Sequence, residues 1–228
     1  MLDSGTPRDR IVAAALRLAE TRGWRDLSLG EIAGEAGIPL AEMRREFQGK
    51  RQILAAFSRA ADQAVLEKFA APGPDAPRDR LFDVLITRFE VMQPYKAALR
   101  RIGSDLGLSF GEALAQLRPA LKSQYWMLAA AGINGEGGRG LLRVQGLLAI
   151  YARVFPIWLA DDDPGLARTM AALDRRLRRG ESVLGSIGRI REACASFARA
   201  LRGGEDGTRE AAPAQTDAPA PPAGPRQI

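Results

Sequence analysis

Four cations crowd residues 44–51: Arg44, Arg45, Lys50 and Arg51. Guanidinium forks suit phosphates and guanine edges, and an ammonium suits a phosphate as a point charge. The stretch before them reads as two short helices joined at Gly37. Ser28 precedes the apolar Leu29 and Ile32 and is followed three residues later by Glu31, the spacing of a capping box. With an earlier apolar run at Ile11, Ala14, Ala15 and Leu18, the pattern is a three-helix helix-turn-helix unit, whose second helix enters a DNA groove. The candidate DNA-facing set is Ser28, Leu40, Ala41, Arg44, Arg45, Lys50 and Arg51.

Catalytic chemistry finds little purchase. The chain has no histidine, which removes the commonest general base and transition-metal ligand. Its one cysteine, Cys194, allows no intrachain disulfide and no multi-cysteine metal site. Gly135-Glu136-Gly137-Gly138-Arg139-Gly140 lacks the Lys-Ser/Thr of a phosphate loop and follows no strand, so it reads as a plain loop. Asp161-Asp162-Asp163 reads as a solvated turn and helix cap, not a metal site. The expectation is a protein without enzymatic activity, cofactor or metal.

A second set of residues suits an apolar ligand. Phe89, Met92, Tyr95, Tyr125, Trp126, Tyr151, Phe155 and Trp158 gather in the second half of the chain, beside Gly and Ala. Such residues line pockets for long apolar molecules, and they equally fill cores. Arg88 and Arg153 lie within the same apolar patterns. Each would need a partner if buried: an acidic ligand group, or an internal carboxylate such as Glu90 or Asp105.

The elements that hold these residues are all helical by pattern. Thr6-Pro7-Arg8-Asp9 opens a helix that Gly23 ends. Lys50 to Phe69 forms a longer helix with Ile53, Leu54, Phe57, Ala61, Val65 and Phe69 on one face. Residues 71–77 are a Pro/Gly breaker run. Helical patterns then fill 78–93, 95–105, 110–131, 138–160 and 164–179. Pro94, Pro119 and Pro156 are expected to end or kink them, and Asp163-Pro164 to start the last. The resulting organisation is an arm over 1–6, a head over 7–70, a linker over 71–77, a larger body over 78–180, an amphipathic helix over 181–202 and a disordered tail over 203–228.

Composition fits that plan. Of 228 residues 46% are hydrophobic, enough for a sizeable core, and Ala, Leu and Arg favour helix. The net charge of +6 permits a nucleic-acid or anionic-membrane partner without requiring one. Residues 8–51 hold nine Arg/Lys against seven Asp/Glu, a net of only +2 for the head. No apolar run approaches the ~20 residues that span a bilayer. Met1 to Arg10 has no apolar stretch after its charges, so a cytoplasmic location is expected.

The frame Ile11-x-x-Ala14-Ala15-x-x-Leu18-Ala19, Gly23, Leu29, Ile32-Ala33-x-x-Ala36-Gly37-Ile38, Phe47, Lys50 and Ile53-Leu54 resembles the TetR family of dimeric bacterial regulators. The resemblance implies a DNA-binding head on a larger ligand-binding, dimerising body, in which a ligand changes the spacing of two heads. Three polar positions depart from that family's usual types: Pro39 for a small hydroxyl residue, Arg44 for a tyrosine and Glu46 for a histidine. Residues 81–179 resemble a second family, the TetR-fold lipid-binding accessory protein of ubiquinone biosynthesis. There the frame is Thr87-Arg88, Pro94-Tyr95, Trp126, Ala130-Ala131-Gly132, Leu147-Leu148-Ala149-x-Tyr151, Trp158-Leu159-x-Asp161-Asp162-Asp163-Pro164 and Leu173-Asp174-Arg175-Arg176-Leu177. That resemblance implies an isoprenoid lipid and no action through DNA.

The expected partners are therefore double-stranded DNA, a hydrophobic small molecule or isoprenoid lipid, and a second copy of the chain. In 181–202, Val183, Ile187, Ile190, Cys194, Phe197 and Leu201 form a stripe flanked by arginines. It suits either peripheral membrane contact or docking on the body.

Overall fold

The computed structural model describes residues 5–71, 73–106 and 110–180. The amphipathic helix expected over 181–202, with Cys194, and the tail over 203–228 lie outside the described residues. Eight helices are bounded: α1 (Pro7–Arg22), α2 (Leu29–Glu35), α3 (Leu40–Glu46), α4 (Lys50–Lys68), α5 (Pro77–Met92), α6 (Lys96–Leu106), α7 (Phe110–Ala130) and α8 (Gly137–Leu159). Helical residues 167–180 follow and are termed α9. A 3-10 turn at Gln93–Tyr95 separates α5 from α6. No strand occurs among the described residues, so the fold is all-α as expected.

The head follows from local chemistry. The Thr6 hydroxyl oxygen accepts from the Asp9 N–H at 3.1 Å, and Pro7 sits in the first turn of α1. Ser28 and Glu31 form the reciprocal capping box of α2: the Glu31 N–H donates to Ser28 Oγ at 3.2 Å and the Ser28 N–H donates to Glu31 Oε2 at 2.8 Å. The backbone N–H of Ser28, then its hydroxyl, holds the Glu31 carboxyl below its usual range. Gly37 turns the chain between α2 and α3 at φ +64°, a conformation side chains resist. Ile11, Ala15, Ile32, Met43, Phe47 and Ile53 are all buried and close the three-helix core. Apolar periodicity thus placed the correct faces inward.

The body is laid against the head along two helices. α1 packs along α6, and α4 packs on α5 and α7. α7 in turn packs on α5 and α8. Residues 5–180 belong to one compact unit, and α4 serves the cores of both halves.

Several expectations need correction. Pro119 and Pro156 lie inside α7 and α8 and do not end them. Only Pro94 coincides with a break, in the 3-10 turn. Asp163-Pro164 does not start the last helix. The Asp163 carboxylate accepts from the N–H groups of Gly165 and Ala167, Leu166 takes φ +55°, and the helix begins at residue 167. α8 matches the expected 138–160 to within a residue, but it overturns the expectation that no apolar run approaches membrane length. By length and composition alone it could cross a membrane, and only 22% of its apolar stretch is buried in the body. Arg139, Arg143 and Arg153 interrupt it.

The glycine-rich loop is a packing device. A Cβ on Gly140 would overlap the Gly135 backbone carbonyl, and a Cβ on Gly135 would meet the Tyr125 ring at 2.8 Å. The loop is pressed flat on the start of α8, which leaves no room for a phosphate between the two glycines. Gly140→Ala should therefore lower stability by about 1–3 kcal/mol through overpacking against backbone, as read by thermal or urea denaturation.

Candidate nucleic-acid interface

The second helix of the helix-turn-helix unit is α3. Met43 and Phe47 anchor it to the head core, at 1% exposure each. Pro39 supplies no side-chain cap, so entry into α3 relies on the Gly37 turn and on the Glu42 and Met43 N–H groups donating to the Pro39 carbonyl. The opposite face carries exposed Leu40, Ala41, Arg44 and Arg45. Leu40 is 62% exposed and places an apolar side chain beside these arginines.

Charge pairing alters the meaning of the head's low net charge. Arg8 meets Glu46 at 3.4 Å, Arg17 meets Glu35 at 3.1 Å and Arg22 meets Glu31 at 2.7 Å. Arg8 also lies over the Phe47 ring at 4.6 Å. These pairs consume three of the seven acids. Among the described residues Arg44, Arg45 and Arg51 are exposed, with no such partner. Glu42 is half-buried at the edge of the same helix.

Two residues of the expected DNA-facing set carry other duties. Ser28 is exposed, but its hydroxyl donates to Glu31 at 2.8 Å within the capping box. The Lys50 ammonium donates to the carbonyls of Trp24 and Arg25 at 2.8 and 2.9 Å and lies 5.6 Å from the Trp24 ring centre. It is half-buried and holds the loop after α1 to the start of α4. Sequence spacing cannot reveal such a duty, because the loop partner is 25 residues away.

The eight residues expected to line a ligand chamber separate into groups. Phe89 stacks on Tyr151 with centroids 5.3 Å apart and planes at 2°. Phe155 lies 5.7 Å from Tyr151 and 5.4 Å from Trp158, and Phe89 is 5.4 Å from Trp158. These four rings form a closed cluster, with Met92 buried in the same helical core. Trp158 Nε1 donates to Gln93 at 3.0 Å. Tyr95 instead meets Phe57 edge to face, and Tyr125 meets Trp126. A surface groove of about 350 Å³ is lined by Ile157, Arg168, Ala171, Ala172 and Arg175, and none of the eight borders it.

Beside the ring cluster lies a buried polar hub that the sequence reading missed. Arg88 is 3% exposed. Its guanidinium donates to Asp62 Oδ1 at 2.9 Å, to Ser58 Oγ at 3.1 Å and to the Tyr151 hydroxyl. Ser123 donates to the same Asp62 oxygen at 2.8 Å. Burial pushes the Tyr151 phenol up to about 12, so it stays neutral. The expected internal partners, Glu90 and Asp105, are not the ones used: Glu90 is exposed and Asp105 faces the head loop. Arg153 is exposed and donates to its own helix at the Ala149 carbonyl, so it needs no internal carboxylate. Burying Arg88 unpaired would cost far more than the pair returns. Asp62→Ala should thus destabilise the fold by about 3–5 kcal/mol, and denaturation of Asp62→Ala and Asp62→Ala/Arg88→Met should show the double variant recovering part of the loss.

The Asp161 carboxylate, open to metal by composition, accepts from the N–H and hydroxyl of Thr169 at 2.8 and 2.7 Å. Burial would raise it, but those bonds outweigh burial and hold it below its usual range. Among the described residues no cluster of three His, Cys, Asp or Glu is placed to hold a metal ion.

Comparison with known proteins places this geometry. Residues 11–57 match the TetR_N family model, bacterial regulatory proteins of the tetR family. The head is thus a TetR-type helix-turn-helix domain. No curated protein matches. Among solved structures, a TetR transcriptional regulator from Nitrosomonas europaea aligns with TM-score 0.61 at 23% identity, covering 77% of this chain and 98% of that one. A TetR transcriptional regulator from a Rhodococcus species aligns with TM-score 0.58 at 17% identity, covering 76% and 95%. A tetR-family regulator from Streptomyces coelicolor aligns with TM-score 0.50 at 19% identity, covering 86% and 91%. The fold of the described chain is TetR-like, head and body together.

Proposed function

We propose that the protein is a TetR-like transcriptional regulator that binds double-stranded DNA as a homodimer and responds to a hydrophobic small molecule. The observation that carries this reading is the exposed, unpaired row of Arg44, Arg45 and Arg51 on a capped helix-turn-helix head. Arginines held this way have no ion pair to break before they meet phosphates, and Arg45 is placed to try a guanine edge. The exposed Leu40 and Ala41 give the same face apolar contact for a thymine methyl. The match of residues 11–57 to the TetR head supports the same reading.

The dimer reading rests on α8. Leu141 and Leu142 are half exposed, and Gly146, Ala149, Ala152 and Pro156 continue the same open side. Leucines followed by small residues let a second helix approach closely. A two-fold axis beside α8 would bring two heads to one operator. Sedimentation at micromolar concentration should give a dimer, and Leu141→Lys/Leu142→Lys should give a folded monomer.

DNA binding is tested by fluorescence anisotropy with the DNA upstream of the protein's own gene, over a salt series. Arg44→Ala should weaken binding across sequences and flatten the log–log salt slope by about one unit per head. Arg45→Ala should instead narrow the difference between upstream and random DNA. Absence of salt-sensitive binding by the wild type would overturn the reading.

A lipid-binding accessory role of the ubiquinone-synthesis kind is a second reading. One observation favours it: Trp126, 45% exposed, leaves a large apolar ring open on the body, as α8 leaves its leucines. Lipid mass spectrometry of the purified protein separates the two: a bound isoprenoid, without DNA binding, would put this reading first.

A further inference from the structure

The loop between α1 and α2 is held from two sides. The Trp24 N–H donates to the Asp105 carboxylate at 2.6 Å, and the Arg25 guanidinium donates to the Asp105 carbonyl at 2.6 Å. Lys50 takes the Trp24 and Arg25 carbonyls from the other side. Asp105 lies at the end of α6, in the body, whereas Trp24, Arg25 and Lys50 belong to the head. Trp24 is buried at 4% exposure, so the loop cannot swing without uncovering an indole. Gly23, at φ +87°, lets the chain turn tightly enough to reach Asp105: a Cβ there would stand 2.8 Å from its carboxylate. Arg101, one turn earlier on α6, sits 3.9 Å from the other Asp105 oxygen.

We propose that Asp105 is a positioning residue that sets the angle of the DNA-reading head on the body, by clasping the backbone of Trp24 and the side chain of Arg25 against Lys50. The inference deepens the DNA-binding reading and rests on it for its consequence, but the clasp itself does not depend on DNA. The physical ground is that a charged acceptor on a backbone N–H is among the stronger hydrogen bonds, and here it ties the α1–α2 loop to α6, a second directional contact between head and body besides the Arg88 hub on α4. A two-site operator accepts only one spacing of two heads, whereas a half-site accepts any. Loss of the clasp therefore costs whole-operator affinity and spares half-site affinity. Lys50, in this arrangement, works from within the head and not at a phosphate.

The test uses the full chain with Cys194→Ser and spin labels at positions 48 and 122, both exposed, with labelled chains diluted in unlabelled ones. Pulsed electron–electron resonance reads the head-to-body distance distribution. Asp105→Ala should broaden it, Asp105→Asn, which keeps an acceptor without the charge, should broaden it less, and hydrogen exchange at the Trp24 amide should rise in the same order. Anisotropy with upstream DNA should show a loss on the order of tenfold for Asp105→Ala, the equivalent of one charged hydrogen bond. A fragment carrying a single half-site should show none. An unchanged distance distribution, or equal loss on whole and half-sites, would overturn the proposal. If the alanine variant fails to fold, the asparagine variant carries the same test. A broadened distribution in a protein whose wild type binds no DNA would keep the clasp and remove the DNA-binding reading.

Discussion

One buried charge governs where the central helices lie. Arg88 sits on α5 almost without water, and a guanidinium in that position must have its N–H groups met by the protein. The groups that meet it come from different helices. Ser58 and Asp62 stand one turn apart on α4, and Tyr151 stands on α8. Ser123, on α7, then occupies the same Asp62 oxygen. Satisfying one arginine thus fixes the separations of α4, α5, α7 and α8 together. The next residue, Phe89, continues the constraint into the ring cluster, since it stacks on the Tyr151 that Arg88 also holds. Apolar packing alone would tolerate sliding of these helices, and the directional hub does not.

α4 carries that constraint toward the head. Eight residues, about 12 Å of helix, separate Ser58 from Lys50. Lys50 grips the Trp24–Arg25 loop, and that loop is itself held by Asp105. The head is therefore contacted by the body along two routes, α4 and α6, and both converge on the same two loop residues. A ligand that moved α4 or α6 would act on the head through this loop before it acted on the residues proposed to face DNA. Met43 and Phe47 anchor α3 to the same head core, so the reading face follows the loop as a rigid piece.

What the sequence made legible was the local chemistry. The Ser28–Glu31 box, the Thr6-Pro7-Asp9 start and the Gly37 turn involve residues within a few positions of each other, and each stands where periodicity and capping rules put it. The helical class and the buried faces of α1 and α4 followed from spacing. Contacts across the chain were not legible. Asp62 borders the apolar face of α4, and nothing local marks it as the partner of Arg88 26 residues on. Lys50 reads as one of four clustered cations, and only the fold shows that carbonyls hold it. Asp163-Pro164 carried a valid local signal that a competing local bond defeated, because the Asp163 carboxylate closed a turn onto Gly165 and Ala167 first. The aromatic residues showed the opposite failure. Their types suited a pocket and a core equally, and burial in a closed ring cluster took four of them.

The arithmetic of charge then bears on how such a head would hold DNA. Counting residues 8–51 leaves a net of only +2, which seen alone argues against a polyanion partner. Each ion pair removes one acid and one base, so pairing leaves that net unchanged and alters only which charges stay available. Glu31, Glu35 and Glu46 are neutralised by Arg22, Arg17 and Arg8, which removes repulsion near the reading face. Lys50 is occupied by carbonyls, which removes one cation from the expected four. Three arginines remain free at the edge of α3 and the start of α4. At roughly 0.9 units of salt slope per neutralised phosphate, one head would release only about three counterions. That is weak binding for a single head at ordinary salt. Two heads would give about six, within the range at which protein–DNA complexes become both tight and steeply salt-dependent. A sparse row of free arginines is therefore adequate only in a dimer, and the open leucine and small-residue side of α8 is the surface proposed to meet that requirement.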